Sequence, residues 1–236
     1  MRVVDALRRS GTASRSELAR RTGLSRTTVA TLVADLQARG LVVELADAPA
    51  DAPARGRPPA LLRLDPSAGA ALGVHFGHVN VRVAVADLAS TVLAERSREL
   101  DVDRAAAAAI ETAADLVDAV LDEAGVPRHA VVAAGVGLPG PIDRRTGTVG
   151  ASILPGWAGV EVEQELSRRF DFDVHVDNDA NLGALAEVSF GAGQGLEDVV
   201  YVMVSSGIGA GLVLGGRLYH GATGVAGELG HVQVRS

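Results

Sequence analysis

Apolar residues recur at helical spacing in short segments at the start of the chain. Residues 2–10 carry apolar side chains on one face and are followed by Gly11, which predicts a first helix that ends there. A second helix is predicted to begin at a capping box, with Ser14 as its N-cap and Glu17 as its third residue, and to stop at Gly23. The chain therefore opens with two short helices.

A third helix is predicted over residues 26–39, with Ser25 as its N-cap and Gly40 at its end. Its predicted buried stripe consists of the apolar residues Val29, Leu32, Val33 and Leu36. Two short helices, a turn at Gly23 and a third helix with a polar first turn are typical of a helix-turn-helix. The residues predicted to contact base edges and phosphates in a major groove are Ser25, Arg26, Thr27, Thr28 and Thr31. A three-helix protein-interaction module of the same shape is the alternative.

Two short apolar strands, predicted at 41–45 and 61–64, would pair as a wing beside these helices. Residues 46–60 between them are rich in Pro, Ala and Asp and poor in large apolar side chains, so they are predicted to form a mobile linker. Within this linker, Arg55-Gly56-Arg57-Pro58 resembles the core of an AT-hook, which predicts that Arg55 and Arg57 enter a narrow minor groove. A plain linker with two solvated charges is the alternative.

From residue 65 onward, strand and helix patterns follow one another, which predicts an α/β domain. Strands are predicted at 71–80, 81–87, 131–138, 174–176, 199–204 and 212–214. A helix is predicted over 101–124, with a buried stripe of Ile110, Ala113, Ala114, Val117 and Leu121. The strand at 131–138 is rich in valine and free of charge, as in a sheet that is covered on both faces. Trp157 is expected to pack in the core.

Polar residues with ligand-binding chemistry follow the strand at 174–176 and open a helix that runs to residue 188. Asn178 and Asp179 stand at the carboxyl end of that strand, where ligand groups gather in open α/β sheets. An Asx helix cap, formed by Asp177 or Asn178, is the alternative.

Glycine is frequent near the end of the chain. Glu228 and His231 stand three positions apart between glycines, an arrangement that can hydrogen-bond a polyol. The glycine-rich turn at 205–211 exposes backbone N–H groups that could cradle an anion, or it is a hairpin that needs positive φ.

Charge is distributed unevenly along the chain. Its 236 residues include 22 basic residues, all of them arginine, against 29 acidic ones, a net charge of −7. Residues 1–63 hold 11 arginines and 6 acidic residues, a net charge of +5, and the remainder carries −12. A basic head on an acidic body predicts a polyanion partner for the head alone. No apolar run reaches the roughly 18 residues of a membrane span and the N-terminus lacks a signal peptide, so a cytoplasmic protein without a membrane partner is predicted.

The motifs of the acidic body together resemble the ROK family of repressors, open reading frames and sugar kinases. Residues 227–231 match the family's Gly-Glu-x-Gly-His motif, and residues 135–143 match its Gly-x-Gly-x-Pro-Gly-x-x-Asp loop. The resemblance implies an actin-like ATPase (ribonuclease H-like) fold of the sugar-kinase type. It also implies a sugar site made of Gly140, Asn178, Asp179, Glu228 and His231, in which Asp179 would be the catalytic base of a kinase.

The first hairpin of the body departs from the family's kinases, whose turn resembles Asp-x-Gly-Gly-Thr-Lys. Here His75 replaces the Asp, His78-Val79 replaces Gly-Thr, and Asn80 replaces the Lys. These exchanges remove the carboxylate that would handle the metal and crowd the approach of a phosphate, so neither ATP binding nor kinase activity is expected. Many family members continue beyond the position of His231 into a Cys-rich zinc segment. A lone His in a chain without cysteine predicts no zinc site, and no cofactor is expected.

The sequence thus predicts a winged helix-turn-helix DNA-binding domain at residues 1–64 and an actin-like sensing domain at 65–236, the latter apparently truncated at its C-terminus. The predicted function is a sugar-responsive transcriptional regulator of carbohydrate metabolism, a repressor without kinase activity. It is expected to bind an inverted-repeat operator as a homodimer or homotetramer and to respond to a sugar or sugar phosphate. The alternatives are an ATP-dependent sugar kinase that carries a DNA-binding head, and a ligand-independent DNA-binding protein with a relict pocket.

Overall fold

A computed structural model of the chain describes residues 2–45, 60–143, 146–150 and 153–232. The chain divides into two compact units. The N-terminal unit comprises Met1–Ala70 with Ala86–Thr91, and the C-terminal unit comprises Ala71–Val85 with Val92–Ser236. None of the described helices combines the length and the apolar character needed to span a membrane.

The N-terminal unit contains the predicted helices and the predicted wing. Its elements are α1 (Arg2–Ser10), β1 (Ala13–Ser14), α2 (Arg15–Thr22), α3 (Arg26–Ala38), β2 (Val42–Leu45) and β3 (Leu61–Leu64). Strand β3 lies between β1 and β2 and is antiparallel to both, with Leu62 opposite Ala13 on one side and Glu44 on the other. The sequence did not predict β1, because its two residues also lead into the capping box of α2.

Two hydrogen bonds in the first turn of α2 explain where this helix begins. The backbone N–H of Ser14 donates to Oε2 of Glu17 at 2.8 Å, and the backbone N–H of Glu17 donates to Oγ of Ser14 at 3.3 Å. The predicted capping box is therefore confirmed. The Ser14 backbone N–H and its Oγ, which donates to Oε2 of Glu17 at 2.9 Å, hold the pKa of the Glu17 carboxyl below its usual value. Gly23 ends α2 with a φ of 69°, which glycine adopts without strain.

The core of the N-terminal unit draws on all three helices and on the wing. Its buried residues are Val3, Ala6, Leu7, Ala13, Leu18, Val29, Val33, Val42, Leu62 and Leu64. Helix α3 contributes Val29 and Val33, one turn apart, and Leu36 is partly buried. The expectation that Leu32 is buried is wrong, since its side chain is 40% exposed. A helix in so small a unit buries a narrow stripe, and Leu32 lies outside it.

The C-terminal unit is an α/β assembly. Its strands and helices are β4 (Ala70–Phe76), β5 (Asn80–Asp87), β6 (Val92–Glu99), α4 (Ala106–Ala124), β7 (Val131–Leu138), β8 (Ile142–Asp143), β9 (Thr148–Val149), α5 (Val162–Phe170), β10 (Val174–Asn178), α6 (Asp179–Phe190), β11 (Val199–Val204), β12 (Ile208–Leu214) and β13 (Arg217–Leu218). The first residue of β4 and the last two of β5 fall in the N-terminal unit in the division given above. Short 3-10 turns occur in the chain at Pro66–Ala68, Arg128–Ala130, Pro155–Trp157 and Leu229–His231.

The larger sheet of this unit has the strand order β10-β7-β4-β5-β6. Strands β7 and β10 are parallel neighbours, with Asn178 opposite Leu138 at their carboxyl ends. A second, antiparallel sheet has the order β11-β12-β13, and β8 pairs with β9. Because β7 and β10 end side by side, the segments that follow them reach the same edge of the sheet.

Two expectations for the larger sheet need correction. Strand β6 was not predicted, because Ala94 is its one buried residue and its sequence lacks an apolar alternation. Strand β7 is not covered on both faces along its first half, since Val132 is 56% exposed. The unbroken valine run therefore overstated how deeply this strand is buried.

Trp157 packs in the core, as expected. Its Nε1 donates to the carbonyl O of Val102 at 2.8 Å, and its ring meets that of Phe76 edge-on with centroids 5.1 Å apart. Helix α4 begins at Ala106 rather than at residue 101, because Val102 is buried and held in this contact. The predicted stripe of α4 is confirmed: Ile110, Ala113, Ala114, Val117 and Leu121 are all buried.

Candidate functional site

A cavity of about 300 Å³ lies in the C-terminal unit beside the carboxyl end of β10. All five residues predicted to bind a ligand line it: Gly140, Asn178, Asp179, Glu228 and His231. They come from three separated segments of the chain, which the fold brings to one place. Their contact with a ligand stays a prediction.

Asn178 forms the corner between β10 and α6. Its Oδ1 accepts a hydrogen bond from the backbone N–H of Asn181 at 3.1 Å, so it is the N-cap of α6. Its Nδ2 donates to the carbonyl O of Gly140 at 3.1 Å and to Oδ1 of Asp179 at 3.2 Å. The Asx cap that the sequence left open is therefore present. The amide of Asn178 also fixes the positions of Gly140 and Asp179 at the cavity wall.

One carboxylate oxygen of Asp179 accepts a hydrogen bond from the backbone, and the other lies near the imidazole of His75. Oδ1 accepts from the backbone N–H of Ala180 at 2.8 Å. Oδ2 lies 4.0 Å from Nε2 of His75, and the Asp179 side chain is 12% exposed. A carboxylate held in this way can accept a hydrogen bond from a ligand hydroxyl.

Glu228 and His231 form the opposite wall. Nε2 of His231 lies 3.6 Å from Oε2 of Glu228, and the Glu228 side chain is 24% exposed. Burial raises the pKa of the Glu228 carboxyl, and the charge of Asp179 adds to this effect while His231 opposes it. The cavity is thus lined by two carboxyl groups in different environments, with the imidazole of His231 beside one of them.

The hairpin of β11 and β12 closes a further side of the cavity with its turn, Ser205-Ser206-Gly207. The alternative that this turn needs positive φ is wrong, because Gly207, Gly209 and Gly211 all have ordinary backbone angles. Gly211 instead allows close packing, since a Cβ there would overlap with Ala180 and Ala184 of α6. The glycines of β12 therefore have a packing role that the sequence did not distinguish from ligand binding.

Of the five glycines in the two family motifs, Gly140 and Gly230 line the cavity, whereas Gly135, Gly137 and Gly227 do not. Gly227 has a φ of 92°, and a Cβ there would overlap with the carbonyl oxygen of Ala210 in β12. Its backbone carbonyl accepts a hydrogen bond from the Ala210 N–H at 3.1 Å. Gly227 thus fastens the Glu228 segment to β12.

Several lining residues were not predicted as such, including His78, Ile153 and Met203. Nδ1 of His78 lies 2.8 Å from Oδ1 of Asp103, which orients its ring. His78 replaces a glycine of the kinases' motif in the first hairpin, and this replacement was the one signal in the sequence that could have pointed to it. Ile153 and Met203 are apolar residues without a motif, so nothing in the sequence marked them.

In the N-terminal unit, the described residues predicted to contact DNA are at the start of α3 and are all solvent-exposed. Ser25, Arg26, Thr27, Thr28 and Thr31 are all exposed. Oγ of Ser25 accepts from the backbone N–H of Thr28 at 3.1 Å, which makes Ser25 the N-cap of α3. Arg26 borders a surface depression together with Ser14, Arg15 and Ser16. The two predicted minor-groove residues, Arg55 and Arg57, lie outside the described residues.

No group of three or more His, Cys, Asp or Glu side chains within the described part of the chain is arranged to hold a metal ion.

Family models match both parts of the chain. The model of the ROK family matches residues 71–236, and that of the MarR family matches residues 1–52. A xylose repressor from Caldicellulosiruptor bescii is 28% identical over 221 residues, which cover 94% of this chain and 55% of the repressor. The chain therefore spans about half the length of the curated relatives it matches.

Solved structures with a similar fold include a regulator and a kinase. A crystal structure of a ROK family transcriptional regulator, a homologue of the E. coli MLC protein, has a TM-score of 0.76 and 25% identity, covering 99% of this chain and 58% of that one. A ROK family glucokinase from Streptomyces griseus, in complex with glucose and AMPPNP, has a TM-score of 0.59 and 32% identity, covering 71% of this chain and 51% of its own. The ROK family model matches well over half of the residues of this chain, so the chain belongs to the ROK family.

Proposed function

We propose that this chain is the DNA-binding and effector-binding part of a sugar-responsive transcriptional repressor. The observation that carries the proposal is that one chain combines a winged helix-turn-helix, with an exposed polar recognition helix, and a cavity lined by five residues expected at a ROK sugar site. The similarity to a xylose repressor and to a ROK transcriptional regulator supports this combination.

DNA recognition is assigned to α3. Its first turn exposes Arg26, Thr27 and Thr28, and Arg26 has the reach and donor geometry for the base edge of guanine. The surplus of arginine in residues 1–63 favours a polyanion over a protein partner. The Arg55-Gly56-Arg57-Pro58 segment would add contacts in a flanking minor groove. Two-fold pairing of the protein, as a homodimer or within a homotetramer, would match an inverted-repeat operator.

The effector is assigned to the cavity of the C-terminal unit. The carboxylates of Asp179 and Glu228 accept hydrogen bonds, and His231 can donate or accept, which suits a ligand with several adjacent hydroxyls. The names of the relatives make D-xylose and D-glucose the first candidates.

We further propose that the protein does not transfer phosphate. His75 stands in the position of the kinases' aspartate and lies 4.0 Å from Oδ2 of Asp179, so an imidazole occupies the approach to the would-be base. His78 and Asp103, paired at 2.8 Å, present a carboxylate near the turn where a nucleotide phosphate would need N–H donors. The residues of this turn therefore do not fit ATP.

A sugar kinase with a DNA-binding head is the second candidate. The likeness to the Streptomyces griseus glucokinase favours it, as does the location of Asp179 at the cavity. A kinase would turn over Mg-ATP with a sugar, whereas a repressor would change its DNA affinity when the sugar binds.

The proposal is tested by selecting DNA fragments from a random library with the purified chain and then measuring their binding with and without sugars. We expect an inverted repeat to be enriched and its binding to weaken in D-xylose or D-glucose. Selection of no sequence would contradict DNA recognition. An enriched operator whose binding ignores a wide panel of sugars would instead favour the DNA-binding protein with a relict pocket.

A further inference from the structure

His220 and Asp177 form a short, shielded contact between parts of the C-terminal unit that are far apart in sequence. Nε2 of His220 lies 2.6 Å from Oδ2 of Asp177, and their side chains are 17% and 22% exposed. Neither residue is among those that line the cavity. A charge-assisted hydrogen bond that is largely shielded from water holds its partners more firmly than an exposed ion pair does.

The second carboxylate oxygen of Asp177 connects this contact to the corner of β10 and α6. Oδ1 of Asp177 accepts from the backbone N–H of Asn178 at 2.8 Å and from Nδ2 of Asn181 at 2.9 Å. Asn178 in turn caps α6 and donates to Gly140. Asp177 therefore joins His220 to the residues that position Asp179.

His220 also belongs to the loop after β13 that leads to Glu228 and its part of the cavity wall. It follows β13, and its carbonyl O accepts a hydrogen bond from the backbone N–H of Ala226 at 3.1 Å. Glu228 follows two residues later, and its backbone N–H donates to Val225 at 3.4 Å. The base of this loop is thus fastened to β10 through a side chain.

We propose that His220 is a positioning residue, which holds the wall that carries Glu228 at a fixed distance from the wall that carries Asp179. The inference rests on the proposed role of the cavity in sugar binding. Loss of the His220 side chain removes none of the groups that line the cavity. It removes one of the contacts that hold the two walls together, beside the Gly227–Ala210 hydrogen bond and the packing of Gly211 against α6, so a ligand that bridges the walls binds more weakly.

The test uses His220→Ala, His220→Gln and, as a matched control, His129→Ala, which removes an exposed histidine elsewhere in the C-terminal unit. Calorimetric titration of the full chain with D-xylose and with D-glucose measures affinity. We expect His220→Ala to weaken binding about 10-fold or more, as for other hydrogen bonds to charged groups. The amide of Gln can still donate to Asp177, so His220→Gln should recover most of the affinity. His129→Ala should bind like the wild type.

Hydrogen exchange gives a readout that needs no ligand. In His220→Ala, the amides of Asn178, Ala180, Asn181 and Glu228 should exchange faster while those of α4 do not change, and His220→Gln should restore protection. If the wild-type chain binds neither sugar, the proposed function is contradicted. The hydrogen-exchange rates of the His220 variants then test the positioning role of His220 on their own. Unchanged affinity or unchanged exchange in His220→Ala overturns the inference. A folded His220→Gln that behaves like His220→Ala also overturns it.

Discussion

Nε2 of His75 lies 4.0 Å from Oδ2 of Asp179, the residue that the ROK resemblance identifies as the base of a kinase. His75 projects from β4 with 47% of its side chain exposed, whereas Asp179 is 12% exposed. The imidazole at this distance occupies space beside the carboxylate. This arrangement is consistent with the proposed role of Asp179, whose carboxylate accepts a hydrogen bond from a sugar hydroxyl without removing its proton for phosphoryl transfer.

Phosphate transfer is the first property to measure. The purified chain, supplied with Mg-ATP and a panel of sugars that includes D-glucose and D-xylose, should form no sugar phosphate above background. His75→Asp alone should stay inactive, because Val79 and Asn80 still replace the turn residues that kinases use. Turnover that disappears in Asp179→Ala would show that the chain is a kinase.

Arg26 tests how the N-terminal unit reads DNA. Arg26→Ala should cost about 1–3 kcal/mol of specific binding and relax the base preference at one position, since one base-edge contact is lost. Arg39→Ala is the matched control on the same helix, because Arg39 lies at the far end of α3 next to Asp35. Binding titrations against the selected operator and single-base variants give both quantities. An equal loss on every sequence would make Arg26 a phosphate contact instead.

The capping box predicts a local cost in stability. Ser14→Ala removes the N-cap of α2 and should destabilise the N-terminal unit by about 1 kcal/mol in chemical denaturation. Because Ser14 lowers the pKa of Glu17, this stabilisation is present above the unfolded pKa of Glu17 and is lost as the pH falls through the folded value. Ser14→Ala removes only the side-chain part of this effect, because the Ser14 backbone N–H still donates to the Glu17 carboxylate, so the variant should lose slightly less stability than the wild type on acidification. Thr31→Ala, on the exposed face of α3, should change stability by a few tenths of a kcal/mol at most.

The raised pKa of Glu228 predicts that its contribution to stability changes with pH in the opposite direction to that of Glu17. Its pKa is raised in the folded chain, chiefly by burial, so its protonated form favours folding below the unfolded pKa. That contribution is lost as the pH rises through the folded pKa. Glu228→Gln keeps a neutral side chain, so its stability relative to the wild type should grow across this range. Thermal unfolding followed by Trp157 fluorescence measures the effect, with the exposed Glu99→Gln as control. A constant difference between Glu228→Gln and wild type at all pH values would contradict the prediction.

Local sequence signals were sufficient for much of the fold. Ser14, Glu17 and Gly23 form caps through contacts within a few residues, so α2 could be predicted from its own sequence. Helix α4 was predicted too long at its start, because Val102 is held by Trp157, a contact between residues 55 positions apart. Leu32 is exposed for a similar reason, since the width of a buried stripe depends on what packs against it.

The candidate site was predictable where chemistry and motif coincide. Asp179 and Glu228 are polar residues in recognisable motifs, and both line the cavity. Ile153 and Met203 line it as well, but an apolar residue at a cavity looks like any core residue in the sequence. The contact between His220 and Asp177 joins two segments that no local pattern relates. Only the three-dimensional fold reveals such pairs.

The most direct test of the account measures operator affinity of the full chain as a function of sugar concentration, in the wild type, Asp179→Ala and the surface control Asp122→Ala. Coupling between sites of this kind is worth about 1–3 kcal/mol, so the effective sugar should weaken wild-type binding about 5- to 150-fold. Asp122→Ala should respond like the wild type. Asp179→Ala should bind the operator with unchanged affinity and lose the response, because the N-terminal unit does not use this side chain. An Asp179→Ala variant that responds to the sugar with an unchanged dose dependence would contradict the assignment of the effector to this cavity.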